Sequence, residues 1–262
     1  LYGDDFDIDD IVWMGPQPSL KELGEQVGVL STHPSKELAI KLKHAISLGR
    51  KIHILPPYRS ENILRLEKVI GVGQDLIKYY TSKELIKAVV DLRSIKEPCE
   101  IEEIEKASAI GYQMHVTAMK MAKAGMKELQ IAGTIEGISC ANGTMPSFPI
   151  ILSQHGETLH NHDHSQILKE GGLLLVDAGA ESVSHYASDN TRTIPVNGKL
   201  TQKQKEIYNL VLAAVNNSVE IAKAGMPYLN VHLAAAKVIT EGLISLGLMK
   251  GNADEAVANG AH

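Results

Sequence analysis

Two aspartates on either side of a short turn are the residues of this sequence best suited to chemistry. Asp177 ends the apolar run 173–176, and Asp189 comes just before the β-branched run 191–194. If the intervening segment forms a hairpin centred on Val183, residues equidistant from the turn face one another on one side of the sheet. The Cβ atoms of the two aspartates would then be about 4.5–5.5 Å apart.

Two carboxylates at that separation predict a divalent cation. Like charges so close raise the pKa of one carboxyl unless a cation lies between them. Hard oxygen ligands favour Mg, Mn or a similar ion. The alternative is an ordinary pair of surface aspartates, because a β-bulge would send their side chains to opposite faces. Spacing alone leaves both interpretations open.

A histidine-rich segment lies upstream of the aspartates. His155, His160, His162 and His164 fall within ten residues, without the i, i+4 spacing of a helical zinc motif. The segment is consistent with a solvated turn, or one member could donate a proton or stabilise an anion beside a metal. The remaining histidines are interpreted as structural or surface residues: His33, His44, His53, His115, His185, His232 and His262.

The elements that must position these residues include a repeated helix ending. Apolar residues at helical spacing from 101 to 121 predict a long helix that stops at Gly125. The sequence Ala-Lys-Ala-Gly-Met at 122–126 recurs at 222–226, each time between two helical patterns. We interpret the repeat as a duplication within a pseudo-symmetric α+β domain.

The first 90 residues have a different pattern. Apolar runs at 11–14, 27–30 and 52–55 predict strands, and segments 20–26 and 37–48 predict helices. Ser19 and Ser35 precede the two helices and are suited to capping them. Alternating strands and helices indicate a small α/β domain, so we expect two domains, 1–90 and 91–262. Gly71 and Gly73 lack the third glycine of a dinucleotide-binding fingerprint.

Composition excludes several classes of function. The chain has 262 residues with a net charge of -5 and no basic run, which argues against nucleic-acid binding. It contains no apolar stretch long enough to span a membrane. Cys99 and Cys140 are too far apart to form a metal-binding pair, and such sparse cysteine fits a reducing compartment, so we expect a cytoplasmic protein. The chain begins without Met and ends without a helix cap, so we expect a fragment at both ends.

The residues around the aspartates resemble a known family signature. Residues 175–181 (LVDAGAE) and 186–193 (YASDNTRT) resemble the motif of the pita-bread metallopeptidases, most closely the aminopeptidase P family. Residues 195–199 (PVNGK), 204–208 (QKEIY) and 93–96 (RSIK) continue the resemblance. It covers about residues 90–262 strongly. Residues 1–90 resemble more loosely the family's N-terminal accessory domain, so the implied fold is an incomplete α/β accessory domain and a pita-bread catalytic domain truncated at its C-terminal end.

The resemblance implies a role for each candidate residue. Asp177 matches the terminal metal ligand, and Asp189 matches the carboxylate that bridges two metal ions. His160 matches the histidine that binds substrate and stabilises the tetrahedral intermediate. Thr191 falls where a hydroxyl would hold the bridging carboxylate. The implied cofactors are two divalent metal ions, with Mn expected and Mg, Co or Zn as alternatives.

The resemblance also implies an activity. A hydroxide bridging two metals would attack the peptide bond before a penultimate proline; aminopeptidases are among the enzymes known for two-metal sites. Relatives assemble as homodimers or homotetramers. Asn190 and the pair 184–185 depart from the family pattern, but neither is at a ligand position. The family's remaining ligands, a His in an HGxGH-like segment and two Glu, are not matched up to His262, so we expect this chain to lack part of the active site and to be inactive alone.

Two alternatives remain open from the sequence. A prolidase, which cleaves only dipeptides, would share the same metal site. A non-catalytic pita-bread module would bind peptides or proteins after losing its metals, although such modules usually lose the aspartate ligands and this chain keeps both.

Overall fold

The computed structural model describes residues 1–261, and the chain divides into two compact units. The first unit is Leu1–Lys96, and the second begins at Glu97. The assignment of 1–90 as an accessory domain and of 91–262 as a catalytic domain stays a prediction.

The first unit is mostly helical. Within it the described strands are two residues long and pair in parallel, β1 at Tyr2–Gly3 and β2 at His33–Pro34. Its helices are α1 at Ile8–Met14, α2 at Leu20–Gln26, α3 at Ser35–Ser47, α4 at Ser60–Ile70 and α5 at Lys83–Ser94, with a 3₁₀ helix at Gln74–Tyr80.

The two helices predicted in this unit are confirmed. The predicted cap of α2 is present as a reciprocal pair: Ser19 accepts from the Glu22 backbone N–H, and Glu22 accepts from the Ser19 backbone N–H. For α3 the predicted cap is wrong, because Ser35 is the first helical residue and Pro34 occupies the cap position.

The three strands predicted in this unit, at 11–14, 27–30 and 52–55, are wrong. Residues 11–14 belong to α1, which starts where the Asp7 side chain accepts a hydrogen bond of 2.9 Å from the Asp10 backbone N–H. The acidic first turn of α1 also favours a helix. A short apolar run does not by itself distinguish a strand from a helix.

The other two runs fail for different reasons. Gly28 adopts a φ of 72°, which ends any extended segment at that point. Ile54 makes a single parallel bridge with Thr81 and does not extend into a strand.

The second unit combines a small sheet with long helices. Its strands are β3 at Ile151–Ser153, β4 at Leu173–Ala178 and β5 at Asn190–Pro195. Its helices are α6 at Pro98–Met121, α7 at Glu128–Ala141, α8 at Gln202–Ile221, α9 at Tyr228–Ser245 and α10 at Ala253–Ala258, with a 3₁₀ helix at Val196–Gly198.

The sheet has the antiparallel order β3-β4-β5, which confirms the strands predicted near 173–176 and 191–194. Helix α6 contacts β4 and β5, and α7 contacts β3. Every second residue of β4, from Leu174 to Ala178, is fully buried under these helices, while Asp177 is half-buried. Buried residues of the helices and strands form one core, which includes Met114, Ala118, Ile131, Ile135, Leu152, Leu168, Leu174, Val176 and Ile194.

The repeated sequence has the same geometry in both copies. Helix α6 ends at Met121 and α8 ends at Ile221, one residue before each copy of the repeat. Gly125 has a φ of 89° and Gly225 a φ of 85°, so both glycines adopt the left-handed conformation that turns the chain toward the next helix. The predicted repetition of helix, stop and helix is therefore confirmed.

Among the described residues, no helix combines the length and the apolar character needed to cross a bilayer.

The core beneath the sheet should carry much of the stability of the second unit. Leu152 in β3 is fully buried, whereas Leu129 in α7 is 63% exposed. We expect Leu152→Ala to lower the free energy of unfolding by about 2–5 kcal/mol, because it leaves a cavity in a packed core. Leu129→Ala is the matched control and should change it by less than about 0.5 kcal/mol. Urea denaturation followed by circular dichroism measures both, and equal effects would contradict the assigned core.

Candidate metal centre

The predicted facing pair of aspartates is wrong in register. Strands β4 and β5 place Asp177 opposite Thr191, and a further bridge nearer the turn keeps the same register. The hairpin is therefore centred on Ser184, one residue later than the predicted centre at Val183.

Asp189 nevertheless shares a face of the sheet with Asp177. It lies just before β5 and two residues before Thr191, where the bridge between Glu181 and Ala187 continues the register of the strands, and residues two apart in an extended chain point to the same side. Diagonal neighbours of this kind have separations of about 7–8 Å, compared with about 4.5–5.5 Å for a facing pair. The two carboxylates are close enough to interact, because the charge of Asp189 raises the pKa of Asp177.

The pKa of Asp177 is raised above its ordinary value, and partial burial is the largest cause. A side-chain hydrogen bond from Thr191 opposes this shift, and the charge of Asp189 adds to it. The electrostatic effects of His115 and His160 lower the pKa. The charged form of Asp177 is thus disfavoured where it stands, and a nearby cation would favour it.

One oxygen of this carboxyl group has no partner. Asp177 Oδ1 is buried and accepts no hydrogen bond within the part of the chain that the structure describes. A buried acceptor left unpaired is costly, and a bound cation would remove that cost. Two carboxylates on one face supply the hard oxygen donors that divalent cations prefer, so the residues present fit such an ion.

Two carboxylates do not make a complete site. Across residues 1–261, no group of three or more His, Cys, Asp and Glu side chains is arranged to hold a metal ion.

Thr191 lies against a different carboxylate from the one implied by the family resemblance. The resemblance placed its hydroxyl beside Asp189, but the register sets Thr191 opposite Asp177, and the Thr191 side chain lowers the pKa of Asp177. Because Thr191 comes two residues after Asp189, its side chain still lies on the face that carries both carboxylates.

His160 lies in the exposed loop after β3, and its electrostatic effect reaches Asp177. The loop is tied to β3 by the Asn161 side chain, which donates a hydrogen bond of 3.0 Å to Ser153 Oγ. The Gln154 backbone N–H donates at 2.7 Å to the buried Glu128 carboxylate. A loop fixed at these points can hold an exposed imidazole near the two aspartates.

Two other histidines of the segment have local partners. His164 Nδ1 lies 2.9 Å from the Leu152 carbonyl oxygen, so Nδ1 carries the proton in that hydrogen bond. His155 Nδ1 lies 2.9 Å from Glu157. Of the four histidines in the segment, His160 is the one that lowers the pKa of Asp177.

His115 was interpreted from the sequence as structural or surface, and the structure places it beside the candidate site. It is buried on α6, and its Nε2 lies 3.1 Å from the carbonyl oxygen of Ala178, the residue after Asp177. Its Nδ1 is buried without a partner among the described residues. The sequence offered one signal for this placement, the position of His115 next to Met114 on the apolar face of a predicted helix. That position alone does not distinguish a histidine of the core from a histidine beside a metal site.

The sheet is covered by helices on one side and carries carboxylates on the other. The sequence segment that contains it matches a known family. Residues 102–259 match the family model described as metallopeptidase family M24. The match covers more than half of the chain, so the chain belongs to family M24, whose name denotes metal-dependent peptidases.

Individual relatives carry a more specific name. The chain is 31% identical to the Xaa-Pro aminopeptidase of Escherichia coli, in an alignment that covers 98% of this chain and 60% of the relative. It is 32% identical to a probable Xaa-Pro aminopeptidase of Chaetomium globosum, over 95% of this chain and 41% of the relative. The chain therefore spans about half of the length of these curated relatives.

Solved structures agree with the sequence relatives. A variant of Escherichia coli aminopeptidase P in complex with substrate superimposes with a TM-score of 0.82 at 28% identity, over 100% of this chain and 61% of that chain. The Pseudomonas aeruginosa aminopeptidase PepP gives a TM-score of 0.83 at 27% identity, over 99% and 60%. The predicted family resemblance and the pita-bread fold are confirmed.

The raised pKa of Asp177 predicts a pH-dependent stability. A carboxyl whose pKa is raised by folding binds its proton more tightly in the folded state, so its charged form lowers stability above that pKa. This cost disappears as the pH falls below the ordinary pKa of 3.8. We expect Asp177→Asn to raise the free energy of unfolding at pH 7, with a gain that shrinks toward pH 4. Urea denaturation across this range measures it.

The control for removing one negative charge is Asp91→Asn at an exposed position of α5. Asp91→Asn should not raise the free energy of unfolding at pH 7, because the carboxyl that it replaces is exposed. A loss of stability in Asp177→Asn at pH 7 would contradict the assigned cost of the charged carboxylate.

Proposed function

We propose that this chain contributes to the metal-dependent hydrolysis of the N-terminal Xaa-Pro peptide bond of a peptide. The observation that carries the proposal is the pair Asp177 and Asp189 on one sheet face, with Asp177 Oδ1 buried and without a partner among residues 1–261. The names of the relatives support the substrate class, since they are Xaa-Pro aminopeptidases. The substrate would be a peptide with proline at its second position.

Each candidate residue has a role in this proposal. Asp177 and Asp189 would hold two divalent cations, and Thr191, which lies opposite Asp177 in the sheet, would help to orient that carboxylate. When bound, the cations supply a hydroxide nucleophile by lowering the pKa of a water shared between them. His160 would donate a hydrogen bond to the oxyanion that develops at the scissile carbonyl. Its exposed position on a loop leaves room for a peptide to reach it.

The proposed metal is Mn, with Mg, Co and Zn as alternatives. Carboxylate oxygens are the ligands that hard divalent ions prefer, and this supports Mn or Mg over Zn, for which nitrogen and sulfur ligands are more usual.

The 262-residue chain alone is proposed to be inactive and to bind metal weakly. Two carboxylates supply too few ligands for two ions that each take about six, and no larger cluster exists among residues 1–261. The complete site would belong to a longer form of the protein, for which we also propose a cytoplasmic location and assembly as a homodimer or homotetramer.

Removing Asp189 tests the proposal. In the longest available form of the protein, we expect Asp189→Ala to abolish Mn-dependent cleavage of an Xaa-Pro-Xaa tripeptide, because the carboxylate shared by both ions is lost. Asn190→Ala is the matched control, since the neighbouring residue in the strand points to the opposite face. Release of the first amino acid measures turnover with and without Mn, and the 262-residue chain should show none.

Undiminished turnover in Asp189→Ala would contradict the proposal. Cleavage of an Xaa-Pro dipeptide but not of the tripeptide would favour a prolidase. Absence of both cleavage and metal binding in the longest form would favour a non-catalytic binding module.

His160 has its own test, with a control in the same loop. We expect His160→Ala to lower kcat roughly 10²–10³-fold in the longest form, which is the usual effect of removing one donor to a developing oxyanion. His162→Ala should leave kcat nearly unchanged, because His162 is an exposed residue of the same loop and is not among the groups that act on Asp177. Steady-state kinetics on the tripeptide separates kcat from KM, and equal losses in the two variants would contradict the role of His160.

A further inference from the structure

The backbone just after Asp177 and the backbone just before Asp189 are joined by a closed network of hydrogen bonds. Ser188 is buried, with 4% of its surface exposed. Its backbone N–H donates at 2.9 Å to the Ala180 carbonyl, and the Ala180 N–H donates at 3.1 Å to Ser188 Oγ. Ala180 and Ser188 thus bind each other where the chain turns away from the sheet, next to the two aspartates.

The Ser188 hydroxyl also ties this point to helix α6. Ser188 Oγ lies 2.9 Å from the Ala107 carbonyl oxygen and 3.3 Å from that of Ala180. A hydroxyl has one proton, and the Ala180 carbonyl already accepts the Ser188 N–H, so the shorter bond to Ala107 is the one that the hydroxyl donates. The helix comes this close because Gly111 lacks a side chain: a Cβ there would lie 2.8 Å from Ser188 Oγ.

The peptide unit that leads into Asp189 is held on its other side by Ser147. Ser147 Oγ donates at 2.6 Å to the Ser188 carbonyl, and the Ser147 N–H donates at 3.1 Å to the Gly179 carbonyl. A Cβ on Gly179 would lie 1.8 Å from the Ser188 carbonyl oxygen, so only glycine permits this approach. The Ser188 carbonyl, which begins the peptide bond to Asp189, is therefore held by the Ser147 hydroxyl and packed against Gly179.

We propose that Ser188, with Ser147, is a positioning residue that sets the orientation of Asp189 relative to Asp177 for cation binding. The proposal rests on the proposed metal site and adds to it the groups that hold the ligands in place. Neither serine lies on the carboxylate pair as a ligand; both act through the backbone. Hydrogen-bonded neighbours of metal-ligating carboxylates commonly change metal affinity 10–100-fold when removed.

Two variants and a control test the inference in the 262-residue chain. Ser188→Ala removes the hydroxyl that joins Ala107 and Ala180. Ser147→Ala removes only the bond to the Ser188 carbonyl. This second variant tests the inference if Ser188→Ala does not fold. Ser139→Ala is the matched control, because Ser139 is fully buried in α7 but bonds Thr144 at 3.4 Å.

Two NMR measurements separate positioning from general stability. Amide hydrogen exchange of Ala180 and Ser188 should become roughly tenfold faster in Ser188→Ala, while α7 is unchanged. In a Mn²⁺ titration, paramagnetic broadening of the Asp177 and Thr191 amides should require about 10–100-fold more Mn²⁺ in Ser188→Ala than in the wild-type chain. Ser147→Ala should also require more Mn²⁺ than the wild-type chain. Ser139→Ala should match wild type.

The outcomes distinguish this inference from the proposed function. Faster exchange with an unchanged Mn²⁺ midpoint would make Ser188 a structural residue only and would overturn the positioning role. Unchanged exchange in both serine variants would overturn the network itself. If the wild-type chain showed no localised broadening even at millimolar Mn²⁺, the proposed metal site of this chain would be contradicted. The positioning role would then be contradicted with it.

Discussion

The register between β4 and β5 is the constraint on which the candidate site depends. Alternate residues of β4, such as Leu174 and Val176, are fully buried against the helices, so Asp177 must point to the other face. A slip of one residue would bury the carboxylate and expose the core, which the hydrophobic effect opposes strongly. The same register sets Thr191 opposite Asp177, and the charge of Asp189, just before β5, reaches Asp177. The packing of the core thus determines where two like charges meet.

That meeting of charges is unfavourable unless something else is bound. Burial and the neighbouring Asp189 both raise the pKa of Asp177, and one of its oxygens has no partner among the described residues. The opposing effects of Thr191 and of two histidines lower the pKa without cancelling the shift. A fold that holds carboxylates in this way gives up stability at the site, and a divalent cation is the ligand that would recover it.

Much of this arrangement could be predicted from the sequence. The apolar run before Asp177 and the repeated helix ending were sufficient for β4 and for the long helices, because both patterns extend over many residues. The turn was not predictable to one residue: Ser182 and Tyr186 close it through a backbone hydrogen bond, and His185 adopts a φ of 64° that no common turn signal announces. This offset of one residue in the turn gave Asp177 the partner Thr191 in place of Asp189. Short apolar runs near the N-terminus carried too little information to separate strand from helix.

The residues around the two aspartates are small for a reason that their sequence alone does not show. Ala178, Gly179 and Ala180 follow the first carboxylate and are fully buried, and Ser188 precedes the second. Helix α6 packs directly against this point through Gly111, and the two backbone segments approach so closely that a Cβ on Gly179 would overlap a carbonyl oxygen. Larger residues would separate the strands and move the carboxylates apart. The motif shared with the aminopeptidase P family thus combines two kinds of residue, the aspartates that would bind the cations and the small residues that allow the backbone to hold those aspartates together.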